Sequence, residues 1–196
     1  MSRINENQMI PVDVLSISYH PTNKGYAVLL KEQNGERHLP IIVGEREAHS
    51  IAVTLEGRKL RRPLTHDLMI DTIEAIGGKI TKVSISDLRE GTFYAQIFIQ
   101  NPYKDELVFD SRPSDAISLS LRTVVPIFVS ESILQNASLE NMAREFHYEV
   151  PDNVDDGNFS FTEILTNLKT AMEQAVEEEN YETAAKLRNR IKQLEC

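Results

Sequence analysis

Alternating apolar and polar positions near the start of the chain predict β-strands followed by a helix. Three segments alternate or are rich in β-branched residues, at residues 12–19, 25–31 and 37–43. Asn34-Gly35, between the second and third segments, is a strong hairpin signal. Apolar residues then take helical spacing over residues 45–55, and Gly57 ends that helix. The predicted order of elements is therefore β-β-β-α.

The same order of elements returns at a constant offset of 68 residues, so that position 15 aligns with position 83. Three segments match: Leu15-Ser16-Ile17-Ser18 with Val83-Ser84-Ile85-Ser86, Tyr26-Ala27 with Tyr94-Ala95, and Glu47-Ala48 with Asp115-Ala116. Strands are predicted at residues 79–87, 92–100 and 106–110, and a helix at 113–122. The alternative is that any two β-rich segments share alternating Ser and Ile by chance. Because all three matches have the same offset, internal duplication is favoured.

Further segments connect and close the two copies. Residues 65–76 predict a linking helix with Thr65 as its N-cap and Gly77-Gly78 at its end. Residues 124–129 predict a short strand, and residues 130–134 a helical turn. The fold class predicted for residues 1–135 is α+β, in which duplicated β-β-β-α units form a mixed or antiparallel sheet with packed helices.

A change of composition near residue 135 marks the end of this predicted domain. Residues 136–160 are polar, with Pro151 and an Asp-rich run, and predict a linker. Residues 161–196 return to helical spacing on both sides of a short break at Glu177-Glu178-Glu179-Asn180. They predict a helical hairpin, whose apolar stripe needs a partner, another copy or the main domain to cover it.

The net charge of −9 is concentrated in the tail, since residues 1–150 hold 16 Lys/Arg and 20 Asp/Glu whereas residues 151–196 hold 5 and 10. The densest basic run, residues 58–62 (Arg-Lys-Leu-Arg-Arg), is a local site for an anion despite the overall sign. A membrane span and a secretory signal are not expected, which predicts a cytoplasmic protein. Cys196 is the only cysteine, so an internal disulfide or thiolate metal site is excluded.

Six motifs are spread over the duplicated region: Leu39-Pro40-Ile41-Ile42-Val43-Gly44, Glu47-Ala48, Leu55-Glu56-Gly57, Arg62-Pro63-Leu64-Thr65-His66-Asp67-Leu68, Phe93-Tyr94-Ala95 and Asp110-Ser111-Arg112-Pro113-Ser114-Asp115-Ala116-Ile117. Together, over about residues 9–135, they resemble the bifunctional nuclease domain family, also known as a domain of unknown function. The resemblance implies a nuclease acting on RNA and DNA, without a settled catalytic assignment to carry over.

The tail has a second set of characteristic residues: Met172, Ala175, Glu179, Tyr181-Glu182, Ala184-Ala185, Leu187-Arg188 and Ile191. Their spacing over residues 168–194 resembles the UVR motif of bacterial excision-repair proteins and of some protease-associated regulators. The resemblance implies a protein-interaction module that binds a protein partner or a second copy. A self-associating coiled coil is the alternative.

Polar residues concentrate where the predicted strands meet helices, and their types suit phosphodiester hydrolysis. That reaction uses carboxylates to hold one or two divalent cations, a base, and positive charge at the phosphate. The predicted catalytic residues are His66, Asp67 and Asp115, and the predicted substrate-binding residues are Arg61, Arg62 and Arg112. The predicted ligands of Mg²⁺ or Mn²⁺ are Glu47, Asp67, Asp110 and Asp115.

Each of these residues also has a structural interpretation. Glu47 and Asp115 fall in the first turns of their helices, where a carboxylate interacts favourably with the helix dipole. Arg112 can form an ion pair with either neighbouring aspartate at the strand-to-helix corner. His66 and Asp67 can cap the linking helix.

Three functions are compatible with these patterns. The first is a metal-dependent nuclease that assembles as a homo-oligomer and binds a protein partner through residues 161–196. The second is a non-enzymatic regulatory or adaptor scaffold that oligomerises, and the third is a binder of a small anionic ligand at Arg62 and Arg112. A nucleophilic serine is not expected at Ser114, because the sequence shows no base beside it.

Overall fold

The computed structural model of the protein describes residues 8–20, 25–141 and 161–195. Its strands are β1 (Met9–His20), β2 (Gly25–Glu32), β3 (His38–Val43), β4 (Lys79–Arg89), β5 (Thr92–Gln100), β6 (Glu106–Ser111) and β7 (Ile127–Ser130). Its helices are α1 (Glu45–Leu55), α2 (Thr65–Ala75), α3 (Pro113–Thr123), α4 (Glu131–Ala137), α5 (Phe161–Glu177) and α6 (Tyr181–Glu195). In these ranges no helix has the length and apolar content needed to cross a bilayer.

The seven strands form one mixed sheet in the order β3-β2-β1-β7-β4-β5-β6. Strands β4, β5 and β6 pair antiparallel, with Ile97 opposite Val83 on one side and opposite Phe109 on the other. Strand β7 is antiparallel to β1 and parallel to β4. This arrangement confirms the predicted α+β class with a mixed sheet.

The structure confirms the internal duplication. Moving the bounds of β3 by 68 residues gives 106–111, which are the bounds of β6, and moving those of α1 gives 113–123, which are the bounds of α3. Strand β5 begins one residue before the position equivalent to the start of β2. The repeated element order therefore follows the repeated sequence pattern closely.

The chain divides into two compact units, and strand β1 contributes residues to both. The first unit comprises Met1–Asp13, Glu32–Asn34 and Arg46–Ile133, and the second comprises Val14–Lys31, Gly35–Glu45 and Leu134–Cys196. In the first unit, fully buried side chains come from α1, β4, β5, α3 and β7, and include Ile51, Val83, Ile85, Ala95, Ile117, Leu119 and Val129. All the predicted site residues lie in this first unit.

In the second unit, α5 and α6 form the predicted hairpin, and its apolar stripe packs on the sheet. Seven buried side chains of the hairpin form one cluster with Ala27 and Leu29 of β2 and with Leu139: Leu165, Leu168, Ala171, Ala175, Ala184, Leu187 and Ile191. Each buried leucine contributes roughly 1.5–3 kcal/mol. The chain's own β2 therefore covers the stripe, and binding of a protein partner through residues 161–196 stays a prediction.

The predicted boundaries at residues 135 and 160 also stay predictions. Most of the predicted linker, residues 142–160, lies outside the described residues. At its beginning, Ala137, Ser138 and Leu139 are buried.

The end of α1 and the start of α2 set the bounds of the loop between these two helices. Gly57, at φ +62°, ends α1, and the N–H of Arg58 donates to the carbonyl of Val53 at 3.0 Å. Helix α2 has Leu64 as its N-cap, so the prediction of Thr65 is wrong by one residue. Leucine has no side-chain acceptor. Instead, the Asp67 carboxylate accepts the backbone N–H of Leu64 at 2.7 Å, which satisfies an N–H at the start of the helix.

The predicted strand at residues 124–129 begins three residues late, because Val124 ends α3 in the left-handed region at φ 53°. The N–H of Val125 donates to the Ser120 carbonyl at 3.2 Å, as at other helix ends of this type. A β-branched residue is strained in this backbone conformation. The side chain of Val124 is 90% exposed, so few contacts offset the strain.

Replacing Val124 by glycine should stabilise the protein. Removing the strained Cβ gains roughly 1–2 kcal/mol, whereas the added flexibility of glycine in the unfolded chain costs about 0.5–1 kcal/mol. We expect V124G to raise the free energy of unfolding in urea by about 0.5–1 kcal/mol. V124A is the matched control, because alanine keeps the Cβ and should give little or no gain; an equal gain from both variants would contradict the strain at this position.

Candidate functional site

The first turn of α2 holds the helix to the first unit through polar side chains. None of the residues of α2 is buried, and Leu68 and Met69 are 60% and 47% exposed. His66 reaches both neighbouring helices instead: its Nδ1 lies 3.0 Å from the Ser50 Oγ on α1, and its Nε2 lies 3.1 Å from the Asp115 Oδ1 on α3. A single imidazole therefore connects three helices.

The hydrogen bonds of these residues have a defined direction. Burial raises the pKa of Asp115, but the hydrogen bonds from Arg112 and His66 outweigh burial, so its pKa lies below the ordinary value. An ionised Asp115 only accepts, which places a proton on Nε2 of His66; in the neutral imidazole Nδ1 is then the acceptor for the Ser50 hydroxyl. We call this arrangement, from Ser50 through His66 to Asp115, the proton relay.

A buried guanidinium supports the proton relay from the other side. Arg122 is 7% exposed, and its Nη2 donates to both the Oγ and the backbone carbonyl of Ser50 at 3.1 Å. Its Nε donates to Asp67 at 2.7 Å, and its Nη1 to the carbonyl of Ser118 at 3.0 Å. Burial raises the pKa of Asp67, but the hydrogen bonds from Leu64 and Arg122 outweigh it and give a net lowering.

A second, exposed guanidinium bridges two carboxylates. Arg112 is 64% exposed and donates from Nη1 to Glu47 at 2.9 Å, and from Nε and Nη2 to the two oxygens of Asp115 at 2.9 and 3.1 Å. The hydrogen bonds that Arg112 donates, to Asp115 first and then to Glu47, raise the pKa of Arg112. Glu47 and Asp115 occupy equivalent positions, 68 residues apart, on the two helices of the duplication.

A cleft next to this network is lined by basic side chains. Its volume is about 690 Å³, and its walls include residues 58–62 (the basic loop) together with Asp67, Asp71 and Arg122. Arg61 and Arg62 are exposed, whereas Arg58 forms an ion pair with Glu56 at 2.6 Å. The cleft therefore joins a positively charged loop to the start of α2.

The structure brings most of the predicted site residues together. His66, Asp115, Arg112 and Glu47 share one hydrogen-bonded network, which continues through Ser50 and Arg122 to Asp67. The predicted substrate residues Arg61 and Arg62 line the cleft that Asp67 also borders. The predicted metal ligand Asp110 is exposed on β6, where its backbone pairs with Gln96.

The predicted divalent cation stays a prediction. Within residues 8–20, 25–141 and 161–195, no group of three or more His, Cys, Asp or Glu side chains is arranged to hold a metal ion. Glu47, Asp67 and Asp115 each accept a hydrogen bond from a guanidinium.

Sequence reasoning missed Ser50 and Arg122, although their spacing carries a signal. Glu47, Ser50 and Thr54 stand at i, i+3 and i+7 on α1, and Asp115, Ser118 and Arg122 repeat this spacing on α3. Polar residues that repeat at one-face spacing on two equivalent helices indicate an internal polar contact. The contact partners themselves are separated by up to 72 residues, so spacing alone does not identify them.

Comparison with known proteins gives two family matches. The bifunctional nuclease domain matches residues 28–142, and the UvrB/uvrC motif matches residues 162–195. An uncharacterized protein of Mycobacterium tuberculosis is 42% identical over 128 residues, which are 65% of this chain and 76% of that protein. A bifunctional nuclease of Oryza minuta and bifunctional nuclease 1 of Arabidopsis thaliana are 26% identical over 179 and 182 residues, or 85% of this chain. The chain spans about half of these plant proteins, 54% and 55%.

Acid should destabilise the protein through Asp67 and Asp115. A carboxyl with a lower pKa in the folded than in the unfolded chain binds fewer protons when folded, so it stabilises the fold above the ordinary value of 3.8. That stability is lost as the pH falls through the folded pKa. We expect the free energy of unfolding in urea to fall from about pH 5 downward, and less steeply in D67N and D115N.

The exposed carboxylate Asp71 of the same helix provides the matched control. D71N should keep the pH dependence of the unmodified protein. An unchanged slope in D67N and D115N would contradict the assignment of acid sensitivity to this network.

Proposed function

We propose that this chain, which belongs to the bifunctional nuclease domain family, hydrolyses phosphodiester bonds in RNA or DNA. The observation that carries the proposal is the proton relay lying in one network with two guanidinium groups, next to a basic cleft. Hydrolysis of a phosphodiester needs a group that takes up a proton and positive charge near the phosphate. The network and the cleft contain both.

The basic loop is the proposed binding site for the nucleic-acid backbone. Arg61 and Arg62 are exposed at the cleft, and guanidinium groups bind phosphate oxygens through paired hydrogen bonds. Contacts of this kind hold the backbone without reading base sequence. This fits a nuclease of relaxed substrate choice, and the similarity to plant bifunctional nucleases supports a nuclease activity.

His66 is the proposed proton acceptor, and the hydroxyl bonded to it is that of Ser50. In the proposed step the Ser50 Oγ forms a bond to phosphorus while the bond from phosphorus to the leaving oxygen breaks. The Ser50 proton passes to Nδ1 of His66 and from there to the leaving oxygen. Water then attacks phosphorus while the bond from phosphorus to the Ser50 Oγ breaks, and the proton of that water passes to Nδ1 of His66 and from there to the Ser50 Oγ.

The surrounding groups stabilise the charges that this step creates. Arg122 donates to the Ser50 Oγ at 3.1 Å and therefore stabilises negative charge on that oxygen. Asp115 accepts from His66 and stabilises the imidazolium. Ser50 is 7% exposed, so α2 has to move slightly before a phosphate can approach it.

We propose separately that cleavage requires Mg²⁺ or Mn²⁺, and we give the cation no step in the mechanism described above. Stimulation of cleavage by either cation, relative to protein treated with EDTA, is the measurement that supports it.

The alternative function, a non-enzymatic scaffold, is supported by the same network, because its hydrogen bonds also hold three helices together. Activity and stability therefore have to be measured on the same variants.

The first test separates His66 from its exposed neighbour His49 on α1. H66N and S50A should lower the rate of cleavage of single-stranded RNA and double-stranded DNA by at least about 100-fold, because each removes a member of the proton relay. H49N should keep the rate of the unmodified protein. Thermal melting of all three variants is the control for folding.

Two outcomes would count against this assignment. Large destabilisation of H66N and S50A in a protein without measurable cleavage would favour the scaffold. Full activity in S50A with loss in H66N would show that the nucleophile is water rather than Ser50.

The second test concerns the basic loop. The double variant R61Q/R62Q should bind nucleic acid more weakly, and the slope of its log affinity against log salt should fall by about 1–2, because two phosphate contacts are lost. R188Q, a charge change at an exposed position of α6, should leave affinity and slope unchanged. Equal effects of the two changes would indicate non-specific attraction rather than a site.

A further inference from the structure

The cleft beside the basic loop is lined by apolar side chains as well as by charged ones. Leu60 stands inside the basic loop, among its four cationic residues, and is 46% exposed. A phosphate group alone gains nothing from apolar contact, so these side chains indicate a ligand that also has an apolar part. We call them the apolar lining: Val53, Leu60, Pro63, Ile70 and Leu121.

Three cationic side chains of the basic loop are available to such a ligand. Arg58 is paired with Glu56 at 2.6 Å. The other three, Lys59, Arg61 and Arg62, are exposed and form no ion pair in the described residues. Unpaired cations beside an apolar lining fit a ligand that carries a phosphate on one part and a flat apolar ring on another, as a nucleotide does.

Two carboxylates of α2 also line the cleft, and they differ in their partners. Asp67 accepts from Arg122 and from the backbone N–H of Leu64. Asp71, one turn further along α2, is exposed and has no hydrogen bond or ion pair in the part of the chain that the structure describes. Its two oxygens match two parallel N–H donors, and guanine presents such a pair at N1 and N2 of its Watson–Crick edge.

We propose that the cleft binds one unpaired nucleotide of the substrate and that guanine is its preferred base. This inference rests on the proposed function and names the substrate class, single-stranded RNA or DNA. Arg61 and Arg62 bind the phosphate, the apolar lining contacts the face of the base, and Asp71 accepts from N1 and N2 of guanine. The cleft volume of about 690 Å³ lies within the range of roughly 300–1,000 Å³ for small-molecule sites.

Base pairing decides which nucleic acid the cleft accepts. In a duplex each base is stacked and its Watson–Crick edge is paired, so a base enters a pocket only after extrusion from the helix. Single strands and loops present unpaired bases without that cost. The preference concerns the base and its pairing rather than the sugar, so strands of RNA and of DNA are both substrates.

Calorimetric titration of the full chain with GMP, UMP and inorganic phosphate tests the site without turnover. GMP should bind at least about 10-fold more tightly than UMP, because uracil has no amino group to donate to Asp71. Inorganic phosphate should bind more weakly than either nucleotide, since it makes no contact with the apolar lining. D71N should remove most of the preference for GMP over UMP.

The variant L60Q tests the apolar lining. It should weaken the binding of GMP by about 5-fold and leave the binding of inorganic phosphate unchanged. The matched control is L55Q, which makes the same change at a leucine of 41% exposure at the end of α1, outside the cleft lining. L55Q should keep the affinity of the unmodified protein for GMP.

Cleavage of one RNA strand, alone and annealed to its complement, tests the substrate class. The free strand should be cleaved at least about 100-fold faster than the duplex. Equal rates on the two forms, equal affinity for GMP and UMP, or equal effects of L60Q and L55Q would each overturn the inference.

The inference and the proposed function fail in different ways. Cleavage that ignores base pairing, in a chain that does not distinguish GMP from UMP, removes the nucleotide site and keeps the nuclease. The expected order of affinities in a chain that cleaves neither form keeps the nucleotide site and removes the nuclease.

Discussion

The buried guanidinium of Arg122 is the constraint on which the first unit depends. It satisfies acceptors on three helices, namely Asp67 on α2, Ser50 on α1 and the Ser118 carbonyl on α3. Each buried acceptor left unsatisfied costs roughly 1–3 kcal/mol, so the arginine and its acceptors require one another. Because none of the residues of α2 is buried, this helix owes its position to hydrogen bonds in its first turn more than to apolar packing. The same contacts place His66 between Ser50 and Asp115.

The duplicated sequence explains why the site is asymmetric. Equivalent positions on α1 and α3 supply Glu47 and Asp115, and both bind Arg112. The position two turns further differs, since α1 has Thr54 where α3 has Arg122. Consequently Ser50 receives a guanidinium, whereas the Oγ of the equivalent Ser118 is buried without a hydrogen-bond partner in the described residues. Duplication provided the scaffold, and divergence at one position selected Ser50 for the network.

Local signals predicted the elements well and the contacts between them poorly. The bounds of α1 and of the strands followed from periodicity, Asn34-Gly35 and Gly57, which act within a few residues. Val124 was assigned to a strand because its side chain is β-branched, but the end of α3 holds it in the left-handed region. Ser50 and Arg122 were missed because their role depends on helices that only the folded chain brings together. Among the predicted metal ligands, Asp110 differs from the others because it lies on strand β6 rather than in the first turn of a helix.

The packing of the C-terminal hairpin on β2 has a consequence for any protein that recognises it. The side chains that form the stripe, such as Leu168 and Leu187, are already fully buried with Ala27 and Leu29. A protein that captured this stripe would have to strip it from the sheet, leaving the apolar face of β2 in water. Such recognition exchanges one apolar neighbour of the stripe for another. Its affinity reflects only the difference between the free energy of packing on the other protein and that of packing on β2.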